Sequence, residues 1–127
     1  MAITLDGIRE AALLACQVAL EKKGEKVALL EFDGTSAVAD YFVLVTSRSQ
    51  THAKALAQGL EATLDDFPLQ RRGIEGYPHA SWILLDYYGL VIHIFDSTER
   101  DYYNLERLWP NAKVQHFEEG MLHPSGI

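Results

Sequence analysis

The stretch SWILLDYYGLVIHIF, residues 81–95, has the apolar density of a buried β-hairpin, yet it carries Trp82, Asp86 and His93 where Val or Ile would suffice. An indole, a carboxylate and an imidazole brought onto one surface suit recognition of a partner, because aromatic side chains anchor interfaces and acids select basic contacts. Catalytic sets are harder to assemble from this chain. Nucleotidyl transfer needs a Gly-Ser pair around the phosphates and two or three carboxylates on Mg²⁺, usually as Asp-x-Asp. Ser47 has no Gly beside it, no Asp-x-Asp occurs, and Asp33, Asp40 and Asp86 fall at separate strand ends, where turn and cap roles explain them. His116, Glu118, Glu119 and His123 are nitrogen and oxygen donors close in sequence, but their spacing matches neither His-Glu-x-x-His nor a zinc finger, and His52 and His79 are scattered. Cys16 is the single cysteine, which excludes an internal disulfide; it sits among Ala12, Ala15 and Ala19 with no adjacent His, as a small core residue does. No catalytic residue, metal site or cofactor is expected.

What the hairpin residues can do depends on the register that positions them. With Tyr88-Gly89 as a two-residue loop, Tyr87 faces Leu90, Leu85 faces Ile92 and Ile83 faces Ile94 on one aliphatic side, the core side. The other side pairs Trp82 with Phe95, Leu84 with His93 and Asp86 with Val91. Trp82, Leu84, Asp86, His93 and Phe95 are therefore the candidate partner-binding residues, an outward face on which Trp82 and Phe95 make an adhesive patch and favour a homodimer. A one-residue slip would send His93 and Phe95 to the side opposite Trp82, and Tyr is a poor residue for the positive φ that primed turns demand at their first central position. Each residue also has a plain structural explanation: Trp82 as core, Asp86 as a strand-end acceptor, His93 as a half-buried polar group satisfied by a neighbour. For His93 taken alone that explanation is the stronger.

The surrounding elements follow from periodicity and capping. Residues 6–23 repeat apolar positions at helical spacing through Ile8, Ala11, Ala12, Ala15, Ala19 and Leu20, and Gly24 ends the helix. Residues 27–32 and 41–46 are β-rich, the first closed by Asp33-Gly34. Ser47 to Gln50 reads as a capping box, opening a helix with the stripe Ala53, Leu56, Ala57, Leu60 and Leu64 that stops by Pro68. Residues 70–74 read as a short edge strand and GIEGYPHA as a loop. Thr98 to Asp101 is a second capping box, starting a helix that carries Tyr102, Leu105 and Trp109 on one side and ends at Pro110. Beyond it the segment with Gly120, Pro124 and Gly126 is weakly specified, apart from a strand around 113–115. The expected organisation is a domain over residues 1–110 and a C-terminal tail over 111–127. Strand, helix, strand demands at least one parallel crossover, whereas the hairpin is antiparallel. The fold class is thus α/β (α+β), a single domain with a mixed four- to five-stranded sheet and helices packed against it.

At 127 residues the chain is one domain long, and 48% hydrophobic with 23% charged residues excludes a disordered or fibrous protein. No run approaches the ~20 apolar residues of a membrane span. The first helix has acids early and lysines late, the reverse of a signal peptide, so a cytoplasmic location is expected. Eleven basic against eighteen acidic residues leave a net charge of −7, and only Lys22-Lys23 and Arg71-Arg72 approach a basic cluster. A direct grip on nucleic-acid phosphates is disfavoured. Acidic surfaces steer instead toward basic proteins, of which ribosomal proteins are the commonest in a cytoplasm.

Four blocks, DYFVLVTSRSQTHAKALA (40–57), IEG (74–76), WILLDYYGLVIHIF (82–95) and RDYYNLERLW (100–109), together resemble the Iojap family of ribosomal silencing factors. The resemblance runs over residues 8–109 and leaves the tail outside. The family pattern usually has Gly where Ser47 stands and Gly-Asp where this chain has Tyr88-Gly89; the Gly-Asp turn supports a two-residue loop, and the glycine here is moved by one place. The resemblance implies a nucleotidyltransferase-like fold without that chemistry. It implies binding to a basic protein, the fourteenth in its series, on the inter-subunit face of the large ribosomal subunit. Occupying that face would keep the small subunit from joining and damp translation when nutrients are scarce. The alternative is a nucleotidyltransferase-like enzyme, which transfer from labelled nucleotides with Mg²⁺ would reveal.

Overall fold

Two helices, α1 (Leu5–Glu21) and α2 (Gln50–Leu64), bring their apolar stripes to one face of a sheet. The computed structural model describes residues 5–32, 39–67 and 69–118, so the expected Asp33-Gly34 turn, the stop at Pro68 and the residues Gly120, Pro124 and Gly126 lie outside the described residues. The strands are β1 (Glu25–Glu31), β2 (Tyr41–Thr46), β3 (Arg71–Glu75), β4 (Trp82–Tyr87), β5 (Leu90–Phe95) and β6 (Lys113–Phe117), followed across the sheet in the order β3-β4-β5-β2-β1-β6. β2 and β5 are parallel, the crossover that the strand-helix-strand order demanded, and the other neighbours are antiparallel.

Burial patterns show which strands are covered twice. β2 and β5 are buried at every position, and their unbroken apolar sequences are what strands enclosed on both faces require. β4 alternates half-buried and buried, as a strand with one open face does. On the helix side the core joins Ala11, Leu56, Leu60, Ile83, Leu85 and Ile92; on the other side a second cluster joins Leu30, Phe42, Leu44, Phe95 and Leu105. Each fully buried aliphatic side chain contributes ~1.5–3 kcal/mol.

Three expectations are corrected by packing. The sheet has six strands, not four or five, because Lys113–Phe117, part of the segment set apart as a tail, pairs antiparallel with β1. It is a polar edge strand, exposed except at Phe117, and carries little apolar signal. Ser49, not Ser47, caps α2, its hydroxyl accepting from His52 N at 3.0 Å. Ser47 still belongs to the sheet, buried with its N–H donating to Phe95 O at 2.9 Å. The last helix is broken: α3 (Ser97–Tyr103) is capped by Asp96, which accepts from Glu99 N at 2.8 Å, and Asn104 at φ 46° and ψ 60° ends it before the single turn α4 (Leu105–Leu108). Tyr102 is thereby turned away from Leu105 and is 80% exposed, whereas Leu105 is buried.

Candidate partner-docking face

The hairpin has the expected register, Trp82 opposite Phe95, Leu84 opposite His93, and Asp86 opposite Val91. The turn accommodates Tyr88 because the positive φ, +92°, falls on Gly89. Gly76, in the loop before β4, is constrained more tightly: at φ +79° a Cβ there would meet Trp82 O at 2.0 Å, so a side chain would push the loop off the strand that carries Trp82.

All five sequence-predicted residues share the sheet face turned from α1 and α2, but that face is only half open. Phe95 is fully buried and His93 nearly so, so the outward Trp82–Phe95 patch is corrected to a partly buried Trp82 lying on a buried Phe95, ring centroids 5.2 Å apart. The cause is the chain after β5, which folds back over it: Arg100 lies 5.6 Å from the Phe95 ring centroid and Leu105 joins the same cluster. What stays accessible is β4's half, Trp82, Leu84 and Asp86, each half-buried. Tyr103 from α3 extends it, its ring 4.9 Å from Trp82, with Tyr102 a further 4.9 Å on. These two tyrosines were missed as surface residues because an unbroken helix puts Tyr102 with Leu105; Asn104, a residue that tolerates the left-handed conformation, was the available signal.

The polar groups on this face are sparsely paired. Trp82 Nε1–H donates to His93 Nδ1 at 3.1 Å, while His93 Nε2 has no hydrogen-bond partner within the described residues. Burial pulls the imidazole pKa from 6.5 down to about 4, so His93 is neutral at physiological pH. Asp86 Oδ2 lies 3.8 Å from Arg72 Nε and its Oδ1 has no partner within the described residues. Such a partly exposed pair is weak, and Asp86 can exchange it for a basic group on another molecule.

Elsewhere, charged groups serve the fold. Buried Arg100 donates to Lys26 O and Thr46 Oγ1 and pairs with Glu106 Oε2, tying α3 to β1 and β2 beside an open cavity of about 460 Å³. His52 accepts from Arg48 N at 3.0 Å through Nδ1 and donates through Nε2 to Lys22 O at 2.8 Å, joining α2 to the end of α1. Cys16 is buried among helix alanines, its thiol pKa pushed up to about 12 by desolvation. His116 is exposed on β6, Glu119 and His123 lie outside the described residues, and among the described residues no group of three or more His, Cys, Asp or Glu could hold a metal ion. No described helix is long and apolar enough to cross a membrane.

Fold and face define a class: a single α+β domain whose second sheet face is half covered, leaving an aromatic and acidic patch of the kind found where proteins dock. The family model described as RsfS, ribosomal silencing factor during starvation, matches residues 6–125, and the chain belongs to this family. The match extends past Trp109, so the C-terminal segment is not outside it. The ribosomal silencing factor RsfS of Bacillus subtilis is 35% identical over 90% of this chain and 94% of its own. That of Halalkalibacterium halodurans is 34% identical over 87% and 94%. A crystal structure of a Chromobacterium violaceum protein has a TM-score of 0.74 at 26% identity, covering 87% of this chain and 90% of that one. The relatives are named as silencing factors, and their names specify no reaction.

Proposed function

We propose that this chain is a non-enzymatic ribosomal silencing factor that docks on the large ribosomal subunit through a basic protein of its inter-subunit face, the fourteenth in that series. Bound there, it blocks the small subunit from joining and represses translation under nutrient limitation, acting in the cytoplasm. Family membership supports the ribosomal role. The observation that carries the docking mode is the open half of the sheet face, where Trp82 and Leu84 offer apolar contact and Asp86 offers a carboxylate to a basic partner. The net charge of −7 favours encounter with such a partner. His93 and Phe95 act from beneath, supporting the contact residues rather than touching the partner. A homodimer of the free protein is part of the same reading, supported by the exposed Tyr102 and Tyr103 beside Trp82; sedimentation of monomer alone at micromolar concentration removes it.

Mixing the protein with purified subunits tests the main reading. It should co-sediment with large subunits and lower the yield of joined ribosomes, and unchanged joining at saturating protein would sink it. Exposed charges are screened beyond ~8 Å at physiological salt, so rising salt should weaken binding while the aromatic contacts keep it measurable.

A further inference from the structure

We propose that His93 is a positioning residue for docking: its Nδ1 holds the indole N–H of Trp82 and so sets the ring that the partner meets. This rests on the reading of Trp82 as a docking anchor. Trp82 pairs with Phe95 and His93 with Leu84, which makes Trp82 and His93 diagonal neighbours on one face of the hairpin, their ring centroids 5.9 Å apart. The indole's other ring contacts, Phe95 and Tyr103, are apolar faces that leave its rotation weakly determined. Its hydrogen bond to His93, at 3.1 Å, is the directional one.

The surroundings of His93 make a purely packing role expensive. The imidazole is 6% exposed and lies against Phe42, Leu44 and Leu84, where an aliphatic or phenyl ring would fill the space without burying a polar group. One of its nitrogens is already unpartnered within the described residues. An indole N–H can only donate, so Nδ1 must carry the lone pair and Nε2 the proton. The bond to Trp82 is what an imidazole supplies here and a phenyl ring cannot. Holding the ring before encounter removes the ordering cost of an interfacial side chain.

The test uses the full chain, purified large subunits and ¹⁵N-labelled protein. In the parent, the His93 ring nitrogens should report the Nε2–H tautomer with Nδ1 accepting; an Nδ1–H tautomer overturns the proposal without any mutation. His93→Phe should move the Trp82 indole N–H resonance, identified by its loss in Trp82→Phe, and weaken large-subunit binding roughly tenfold. His93→Gln, which again offers an acceptor, should recover most of that affinity. In a Trp82→Phe background, with no indole N–H to hold, His93→Phe should cause no further loss. Parent-like binding by His93→Phe alongside weak binding by Trp82→Ala overturns the positioning role and leaves the anchor standing. Parent-like binding by Trp82→Ala removes the anchor and the positioning role with it.

Discussion

The two faces of strand β4 differ in what their side chains are asked to do. Ile83, Leu85 and Tyr87 lie under α1 and α2 in a core of aliphatic side chains, where volume and shape decide and any polar atom is a burden. Tyr87 shows the burden: its buried hydroxyl has no partner within the described residues, and burial, with Asp65 and Glu61 nearby, pushes its pKa up to about 12. Trp82, Leu84 and Asp86, one residue away in each case, are half-buried and mix aromatic, aliphatic and acidic groups. The second face divides again, because the chain after β5 covers Phe95 and reaches β4 with Tyr103 against Trp82, leaving Trp82, Leu84 and Asp86 half-buried. Alternation along a strand assigns a side chain to a face, but the element laid over that face decides whether the side chain is core or contact surface.

The contrast is broken hardest at Phe95. As a fully buried ring, Phe95→Ala should lower unfolding free energy by ~3–5 kcal/mol, comparable to the ~2–5 kcal/mol expected of Leu85→Ala on the helix side. By denaturant unfolding and affinity measured in parallel, the folded fraction of Leu85→Ala should bind large subunits normally, and that of Phe95→Ala, which loses the ring beneath Trp82, more weakly. A stable Phe95→Ala that binds weakly would move the docking surface onto the covered half. Next in size is the pH response of His93. Its folded pKa of about 4 lies below the ordinary 6.5, so the unfolded chain takes up a proton that the folded one refuses. That stabilisation is full above pH 6.5 and lost as pH falls toward 4, by up to ~3 kcal/mol, and His93→Gln should flatten this part of the urea-unfolding profile.

On the open half the expected losses move from stability to binding. Trp82→Ala should weaken affinity for large subunits by ~2 kcal/mol, the scale of an interface anchor, with a smaller drop in melting temperature than Phe95→Ala. If instead it melts as low as Phe95→Ala and its folded fraction binds normally, Trp82 belongs to the core. The smallest effect falls on Asp86→Asn, whose carboxylate makes only a 3.8 Å contact with Arg72. A loss of ~1 kcal/mol or less is expected, seen mainly as slower association at low salt in stopped-flow mixing.

Local periodicity in the sequence was enough to assign the helix stripes of α1 and α2, the limits of β2 and the register that puts Trp82, Leu84, Asp86, His93 and Phe95 on one face. Those features rest on spacing between residues near in the chain, where helix and strand geometry impose their own repeat. Other features needed contacts between distant segments. Ser47 reads as a helix cap, but its N–H extends the pairing with Phe95; the strand expected around 113–115 is present as Lys113–Phe117, and its place as a polar edge beside β1 is what the sequence left open. Arg100 read as one member of a capping box, yet it is buried at the ends of two strands more than fifty residues earlier, as its contact with Thr46 across 54 positions shows. Phe95 became core and Tyr103 became surface for the same reason. After β5 the chain turns at Asp96, breaks at Asn104 and lies back over half a sheet face, and no repeat within a single segment encodes which half another segment will cover.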